Sequence, residues 1–283
     1  MIVVTGASGQ LGRLVIAALL QKVPAGEIVA AVRNPAKVAD LAVRGVQVRQ
    51  ADYDQPASLA AAFKGADKLL LISASEVGRR VPQHRAVIDA AKAAGVGLLA
   101  YTSILHADTS PLPLAAEHQE TEALIRASGL PAVILRNSWY TENYLAGIPA
   151  ALQYGVLLGS AWAGRIASAS RADYAEAAAA VLTRDDQAGR IYELAGDESY
   201  TLAELAGEIA RQSGKAVAYQ DLPESEFKAA LLGAGLPEAL ATLLAESDVG
   251  AAQGGLFDDG RQLSQLIGRP TTPLSKLVGQ ALA

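Results

Sequence analysis

The stretch that most constrains this chain is its first, Met1 to Gly12, which reads M-I-V-V-T-G-A-S-G-Q-L-G. Ile2, Val3 and Val4 form a short unbroken apolar run, the pattern of a strand covered on both faces within a parallel sheet. Gly6 then permits a tight turn out of the strand, Gly9 lets a phosphate approach the backbone, and Gly12 lets the following helix pack closely. From Gln10 to Lys22, Leu11, Leu14, Val15, Ala18 and Leu19 recur at helical spacing. A pyrophosphate at the start of that helix would meet free N–H groups and the positive end of the helix dipole. Gly6, Ala7, Ser8, Gly9, Gln10, Leu11 and Gly12 are therefore candidate cofactor contacts.

A chain of 283 residues can hold one large α/β domain and a smaller appended one. It has no cysteine, which excludes disulfides, thiolate metal sites, iron–sulfur clusters and cysteine nucleophiles. The net charge is −5 and no predicted helix face gathers Lys and Arg, which argues against nucleic acid as a partner. No cationic leader precedes the first strand, and no apolar run approaches the roughly 18–20 residues of a membrane span. A soluble, cytoplasmic protein without a membrane partner is the expectation.

Glu27 to Val32 reads as a second strand, ending in Arg33-Asn34-Pro35. In a dinucleotide-binding sheet an acidic residue at this point bonds the ribose 2′-hydroxyl of NAD, whereas a cation accommodates the 2′-phosphate of NADP. Arg33, with Lys37 one helical turn on, points to NADP(H); a solvated arginine at a strand end is the bland alternative. Val46 to Gln50 is a third strand, followed by Asp52, a residue type also suited to a cap or turn. Ser58 to Phe63 is a short helix and Lys68 to Ile72 a buried fourth strand. Ser73, Ala74 and Ser75 follow its C-terminal end, where ligands of open α/β sheets bind, and their small side chains leave room for a ribose.

Pro82 to Ala94 forms the next helix. His84 lies in its first turn, before the apolar face begins, and is expected at the surface or an interface. Leu98 to Thr102 is a fifth strand with Thr102 at the ligand-facing edge, Ala115 to Ser128 a helix, and Ala132 to Arg136 a sixth strand running into Asn137. This alternation predicts an α/β fold with a Rossmann-like doubly wound parallel sheet. Residues 154–168 carry glycines without helical period and predict an excursion or hairpin over the cofactor. The alanine-rich helix Arg171 to Leu182 and the strand Arg190 to Ala195 return to the sheet. The expected division is thus an NADP-binding domain over 1–150, rejoined by 165–195, and a smaller, mainly helical substrate-side domain over 196–283 that closes the substrate pocket.

The spacing G-x-x-G-x-x-G resembles that of extended and atypical short-chain dehydrogenases/reductases. Members that reduce ketones use a Tyr-x-x-x-Lys pair on the helix after the fifth strand, the tyrosine donating a proton to the developing alkoxide. That helix has no tyrosine here. Matching Glu122 to the acidic residue that follows the family lysine puts His118 at the lysine and Leu114 at the tyrosine. The absence restricts the acceptor. A quinone takes hydride to give a weakly basic hydroquinone anion that solvent can protonate, and a cationic dye needs no proton at the carbon that receives hydride.

Beyond the glycines, A-V-R-N-P-A-K (Ala31 to Lys37), R-Q-A-D-Y (Arg49 to Tyr53), K-L-L-L-I-S (Lys68 to Ser73), H-A-D-T-S-P-L (His106 to Leu112), L-R-N-S-W-Y-T-E-N-Y (Leu135 to Tyr144) and G-G-L-F-D-D (Gly254 to Asp259) resemble the NmrA-like group of atypical short-chain dehydrogenases, and most closely bacterial type 2 NAD(P)H:quinone oxidoreductases. The resemblance runs essentially end to end. It implies NADPH bound across the sheet and a quinone or other small electrophile over the nicotinamide. It implies Asp52 beside the adenine amino group, and Asn137, Trp139, Tyr140, Glu142 and Asn143 at the nicotinamide end, although aromatics after a strand, here Trp139 and Tyr144, more often belong to the core. His118 would orient substrate or donate a proton late, with a capped surface histidine as the alternative, and Asn143 is the second catalytic candidate. Asp258-Asp259 lacks further ligands, so no metal site is assigned. A reductase of triphenylmethane-type dyes is the runner-up, and an NADP-binding redox sensor acting through protein partners is the reading from a different class. A homodimer is suggested by the family alone.

Overall fold

In the computed structural model, which describes residues 1–283, the chain divides into two compact units. The first comprises Met1–Ile104, Ala116–Asn137 and Arg171–Tyr192, and the second Leu105–Ala115, Ser138–Ser170 and Glu193–Ala283. This division departs from one drawn at residues 150 and 196 chiefly over 105–115 and 138–150. Both segments leave a strand end as loop or short helix and add no strand to the sheet.

Along the chain the elements are β1 (Ile2–Thr5), α1 (Gln10–Leu19), β2 (Ile28–Val32), α2 (Ala39–Val43), β3 (Gln47–Gln50), α3 (Pro56–Ala62), β4 (Lys68–Leu71), α4 (Arg80–Ala93), β5 (Leu98–Ile104), α5 (Ala115–Ser128) and β6 (Ala132–Asn137). Then follow α6 (Thr141–Leu145), α7 (Ile148–Tyr154), β7 (Val156–Gly159), α8 (Arg171–Thr183) and β8 (Ile191–Leu194). The last are α9 (Leu202–Ser213), β9 (Ala218–Asp221), α10 (Glu224–Gly233), α11 (Glu238–Ala252), α12 (Gln262–Ile267) and α13 (Leu274–Leu282).

The main sheet has seven strands in the order β3-β2-β1-β4-β5-β6-β8. Val3 of β1 stands opposite Val29 of β2 on one side and Leu69 of β4 on the other, all in parallel pairing. Every residue of β1 and β2 is buried, which is why their sequences are continuous apolar runs rather than alternations. The strand order reverses at β1, so the loops after β1 and β4 diverge and leave a crevice at the carboxyl ends of the strands. Under the sheet, Val3, Leu69, Leu71, Leu99, Phe63 and Val87 share one core cluster with Tyr101. The alanine-rich α8 packs on α1, its small side chains allowing close approach.

One expectation about this unit fails. His84 is fully buried inside α4, not at the surface, because Gln83 and His84 extend the helix's buried face beyond its apolar residues and find polar partners there.

In the second unit, β7 forms no hairpin. It pairs in parallel with β9, Val156 opposite Ala218 and Gly159 opposite Asp221, so its hydrogen bonds go to a strand on the far side of α9. A hairpin would need an antiparallel return within a few residues. Thr201 and Glu204 open α9 with a reciprocal capping box. The segment from His106 to Leu112 is seated in the same unit: a Cβ on Gly250 or Gly255 would lie 2.8 or 2.6 Å from the Leu112 side chain. No helix is long and apolar enough to cross a membrane.

Candidate cofactor site

The crevice after β1 and β4 is an open cleft of ≈ 240 Å³ in the first unit. Its floor is the glycine turn. Gly6 has φ +59°, where a side chain would be strained, and its carbonyl accepts the Gly9 N–H at 2.9 Å. Gly9 caps α1 with no side-chain hydrogen bond, so the first N–H groups of the helix carry no internal cap. A Cβ on Gly9 would come within 3.2 Å of Gly6 O. The turn is therefore bare backbone ending at a helix N-terminus without acidic residues in its first turn, a surface suited to a pyrophosphate. Gly6, Ser8 and Gly9 line the cleft. Ala7 and Leu11 point into the core, Gln10 is exposed, and Gly12 serves packing, since a Cβ there would lie 2.5 Å from Gly6 O.

The wall opposite the turn is held by a hydroxyl cluster. Thr5 Oγ1 donates to Leu70 O at 2.9 Å and accepts from Tyr53 Oη at 2.6 Å and from the Ile72 N–H at 3.1 Å. Burial pushes the Tyr53 phenol above its ordinary pKa, so it remains a donor and ties β1 to the end of β4. Ser73 donates its N–H to Thr102 Oγ1 at 2.9 Å, which accounts for Thr102: it is buried and supports the wall from below. Ala74 is gripped at both ends, its N–H donating to His84 Nε2 at 2.9 Å and its carbonyl accepting from Arg80 Nε at 2.6 Å. Desolvation first, and then the nearby Arg80 cation, pushes the His84 imidazole down to about 3. The ring is neutral, with its proton on Nδ1 facing Thr121 Oγ1 at 2.9 Å. The loop Ser73 to Glu76 thus stands on rigid supports.

At the adenosine end, Arg33 and Asp52 line the cleft together with Glu76 and Gln83. The Asp52 carboxylate accepts from the Asp54 N–H at 3.1 Å and Gln55 Nε2 at 3.2 Å, so it shapes its own turn while facing the cleft. Asn137, at the end of β6, is buried with no hydrogen-bond partner for its Oδ1, and it is not among the residues that line this cleft. Of these residues, Tyr53 entered the sequence reading only within the R-Q-A-D-Y run and His84 only as an expected surface residue, while Glu76 and Arg80 were not singled out.

His118 does not line this cleft. It is 3% exposed, its Nδ1 lies 2.7 Å from Tyr101 Oη, and desolvation holds its pKa well below the ordinary value. It is neither a capped surface histidine nor a cation. Glu122, one turn along α5, has an architectural role: Arg136 Nε reaches Oε1 at 3.0 Å and Nη2 reaches Oε2 at 2.9 Å, while Ser103 donates to Oε1 at 2.6 Å.

The second unit holds Tyr140, Glu142 and Asn143 within one turn at the start of α6, where the Asn143 N–H donates to Tyr140 O at 3.0 Å. Tyr144, on the same helix, donates to Asp248 at 3.3 Å. The other Asp248 oxygen accepts the Ser160 N–H at 2.9 Å, and desolvation raises this carboxyl to about 6. His106 adopts a left-handed conformation at φ +49°, donates its N–H to Glu193 at 2.9 Å and places Nε2 3.3 Å from Asp258. The Asp258 contact joins the H-A-D-T-S-P-L segment to the G-G-L-F-D-D segment.

The model of an NAD(P)H-binding family matches residues 6–185. The chain is 60% identical over 278 residues to quinone oxidoreductase 2 of Escherichia coli (strain K12), across 98% of this chain and 97% of that protein. Among solved structures, the E. coli NADPH-dependent quinone oxidoreductase QOR2 complexed with NADPH superposes with a TM-score of 0.98 at 59% identity, covering 100% of both chains. Triphenylmethane reductase of Citrobacter sp., complexed with NADP(H), superposes with a TM-score of 0.96 at 41% identity, again covering 100% of both. A glycine turn feeding a bare helix N-terminus, a cation at the end of β2 and matches of this extent lead to one assignment: the chain belongs to the NAD(P)H-binding family whose model it matches.

Proposed function

We propose that this protein is an NADPH-dependent quinone reductase. The observation that carries the reading is a cleft built for a dinucleotide, with Arg33 at its adenosine end, in a chain 60% identical to a quinone oxidoreductase. The turn Gly6 to Gly9 and the α1 N-terminus hold the pyrophosphate, Arg33 takes the 2′-phosphate, Asp52 borders the adenine, and Ser73, Ser75 and Asn137 border the nicotinamide ribose. Bound NADPH supplies the hydride. The chain's contribution is to bind and orient, because α5 carries no tyrosine and His118 is sealed in the core as a neutral base. The proton that completes the hydroquinone comes from water, at little cost for so weak a base. We further read the protein as a cytoplasmic homodimer.

The test is NADPH oxidation by the purified protein with and without benzoquinone, with NADH in parallel. Quinone-dependent turnover that prefers NADPH supports the reading. Binding of NADPH with no oxidation by quinone or dye replaces it with a sensor. Turnover with a triphenylmethane dye but not with quinone selects the second reading, which the 41% identity to the Citrobacter reductase favours.

A further inference from the structure

Arg33 and Glu76 come from loops on opposite sides of the cleft, one after β2 and the other after β4, yet their side chains meet: Nη1 of Arg33 lies 3.2 Å from Oε1 of Glu76. The second oxygen of Glu76 is held independently, by Arg79 Nη1 at 3.1 Å and Gln83 Nε2 at 3.3 Å. Arg79 is fixed in turn by Asp54 at 3.0 Å. Glu76 therefore has an anchor of its own, and the Arg33 side chain, 68% exposed, leans on it.

We infer that Glu76 sets how strongly this chain prefers NADPH over NADH, by competing with the cofactor's 2′-phosphate for Arg33. The inference rests on the reading of Arg33 as the 2′-phosphate residue. A phosphate dianion carries more charge than the carboxylate and can take both arms of the guanidinium fork, where Glu76 reaches one nitrogen, so it captures Arg33 and opens the bridge. Arg79 and Gln83 keep Glu76 at the rim, where its charge faces the phosphate. NADH has only a hydroxyl there and can leave the bridge intact. The carboxylate thus disfavours NADPH alone. Because both partners are solvent-facing, the effect is modest, and removing the charge is expected to tighten NADPH roughly two- to fivefold. That gain shrinks with added salt, since the Debye length falls from about 10 Å at 0.1 M to about 3 Å at 1 M.

The experiment is a set of dissociation constants for NADPH and NADH, from the fluorescence of the reduced nicotinamide, on the wild-type chain, Glu76→Gln, Arg33→Ala and the double variant. Gln retains groups for Arg79 and Gln83, and a thermal melt of each chain without cofactor confirms folding. The expected result is tighter NADPH and unchanged NADH for Glu76→Gln, with the gain abolished in the Arg33→Ala background. Equal movement of both cofactors, weaker NADH, or a gain that survives without Arg33 would overturn the inference while leaving Arg33 in place. If Arg33→Ala alone fails to weaken NADPH relative to NADH, the underlying assignment of Arg33 falls, and the competition with it.

Discussion

The Tyr101 hydroxyl and Nδ1 of His118 stand 2.7 Å apart in the core of the first unit, each satisfying the other away from water. Burial raises the phenol and lowers the imidazole, so neither ionises near neutrality. His118→Ala leaves Tyr101 without this partner and opens a cavity, which should cost about 2–4 kcal/mol in denaturant unfolding. Quinone turnover per folded molecule should stay within a few-fold of wild type. The unfolded imidazole takes a proton near 6.5 and the folded one does not, so this group contributes stability above that pH and loses it as pH falls. The variant should therefore show a shallower acid loss of stability, by up to about 1.4 kcal/mol per pH unit. A large fall in kcat at unchanged folding would make His118 catalytic.

Arg33→Asp replaces a candidate phosphate ligand by a charge of the wrong sign at the cleft edge. NADPH should weaken relative to NADH by roughly 1–3 kcal/mol, read as the ratio of kcat/KM values for the two cofactors. An unchanged ratio would remove Arg33 from the site.

Gly12→Ala would force a methyl to within 2.5 Å of Gly6 O and 2.7 Å of Ala7 Cα. Both neighbours are backbone atoms of the turn, so relief requires moving the turn itself. The expected outcome is a loss of about 1–3 kcal/mol in stability together with weakened NADPH binding. Intact binding at reduced stability would separate helix packing from phosphate placement.

Glu122 and Arg136 form a two-pronged pair that is almost wholly buried, with side-chain exposures of 2% and 7%. Arg136→Met leaves the buried carboxylate only Ser103 at 2.6 Å and Arg126 at 3.6 Å and should cost roughly 3–5 kcal/mol, whereas Glu122→Leu with Arg136→Met should lie closer to wild type than Arg136→Met alone. Urea unfolding of the two variants decides it.

Asp248 titrates near 3.8 when unfolded and about 6 when folded, with Tyr144, Tyr219 and Asp221 around it. The folded state binds the proton more tightly, so this contribution is complete below about pH 4 and lost as pH rises through 6. Asp248→Asn keeps an acceptor for the Ser160 N–H without the buried charge. It should raise stability at pH 7.5 by on the order of 2–3 kcal/mol and leave it little changed at pH 4, as read by melting curves. A loss at both values would show that Asn cannot replace the carboxyl geometry.

What the sequence determined by itself is whatever neighbouring residues encode. The all-apolar runs of β1 and β2, the left-handed turn at Gly6, the packing glycine at 12 and the arrival of Arg33 at a strand end follow from side-chain type and spacing over a few residues. The pairing of β7 with β9, the supports under Ala74, the meeting of Arg33 with Glu76 and the burial of His84, His118 and Asp248 were decided only in three dimensions. A polar residue looks the same in sequence whether it faces water or the core. What separates the two is a partner contributed by a distant segment, and desolvation together with that partner sets its charge and its role.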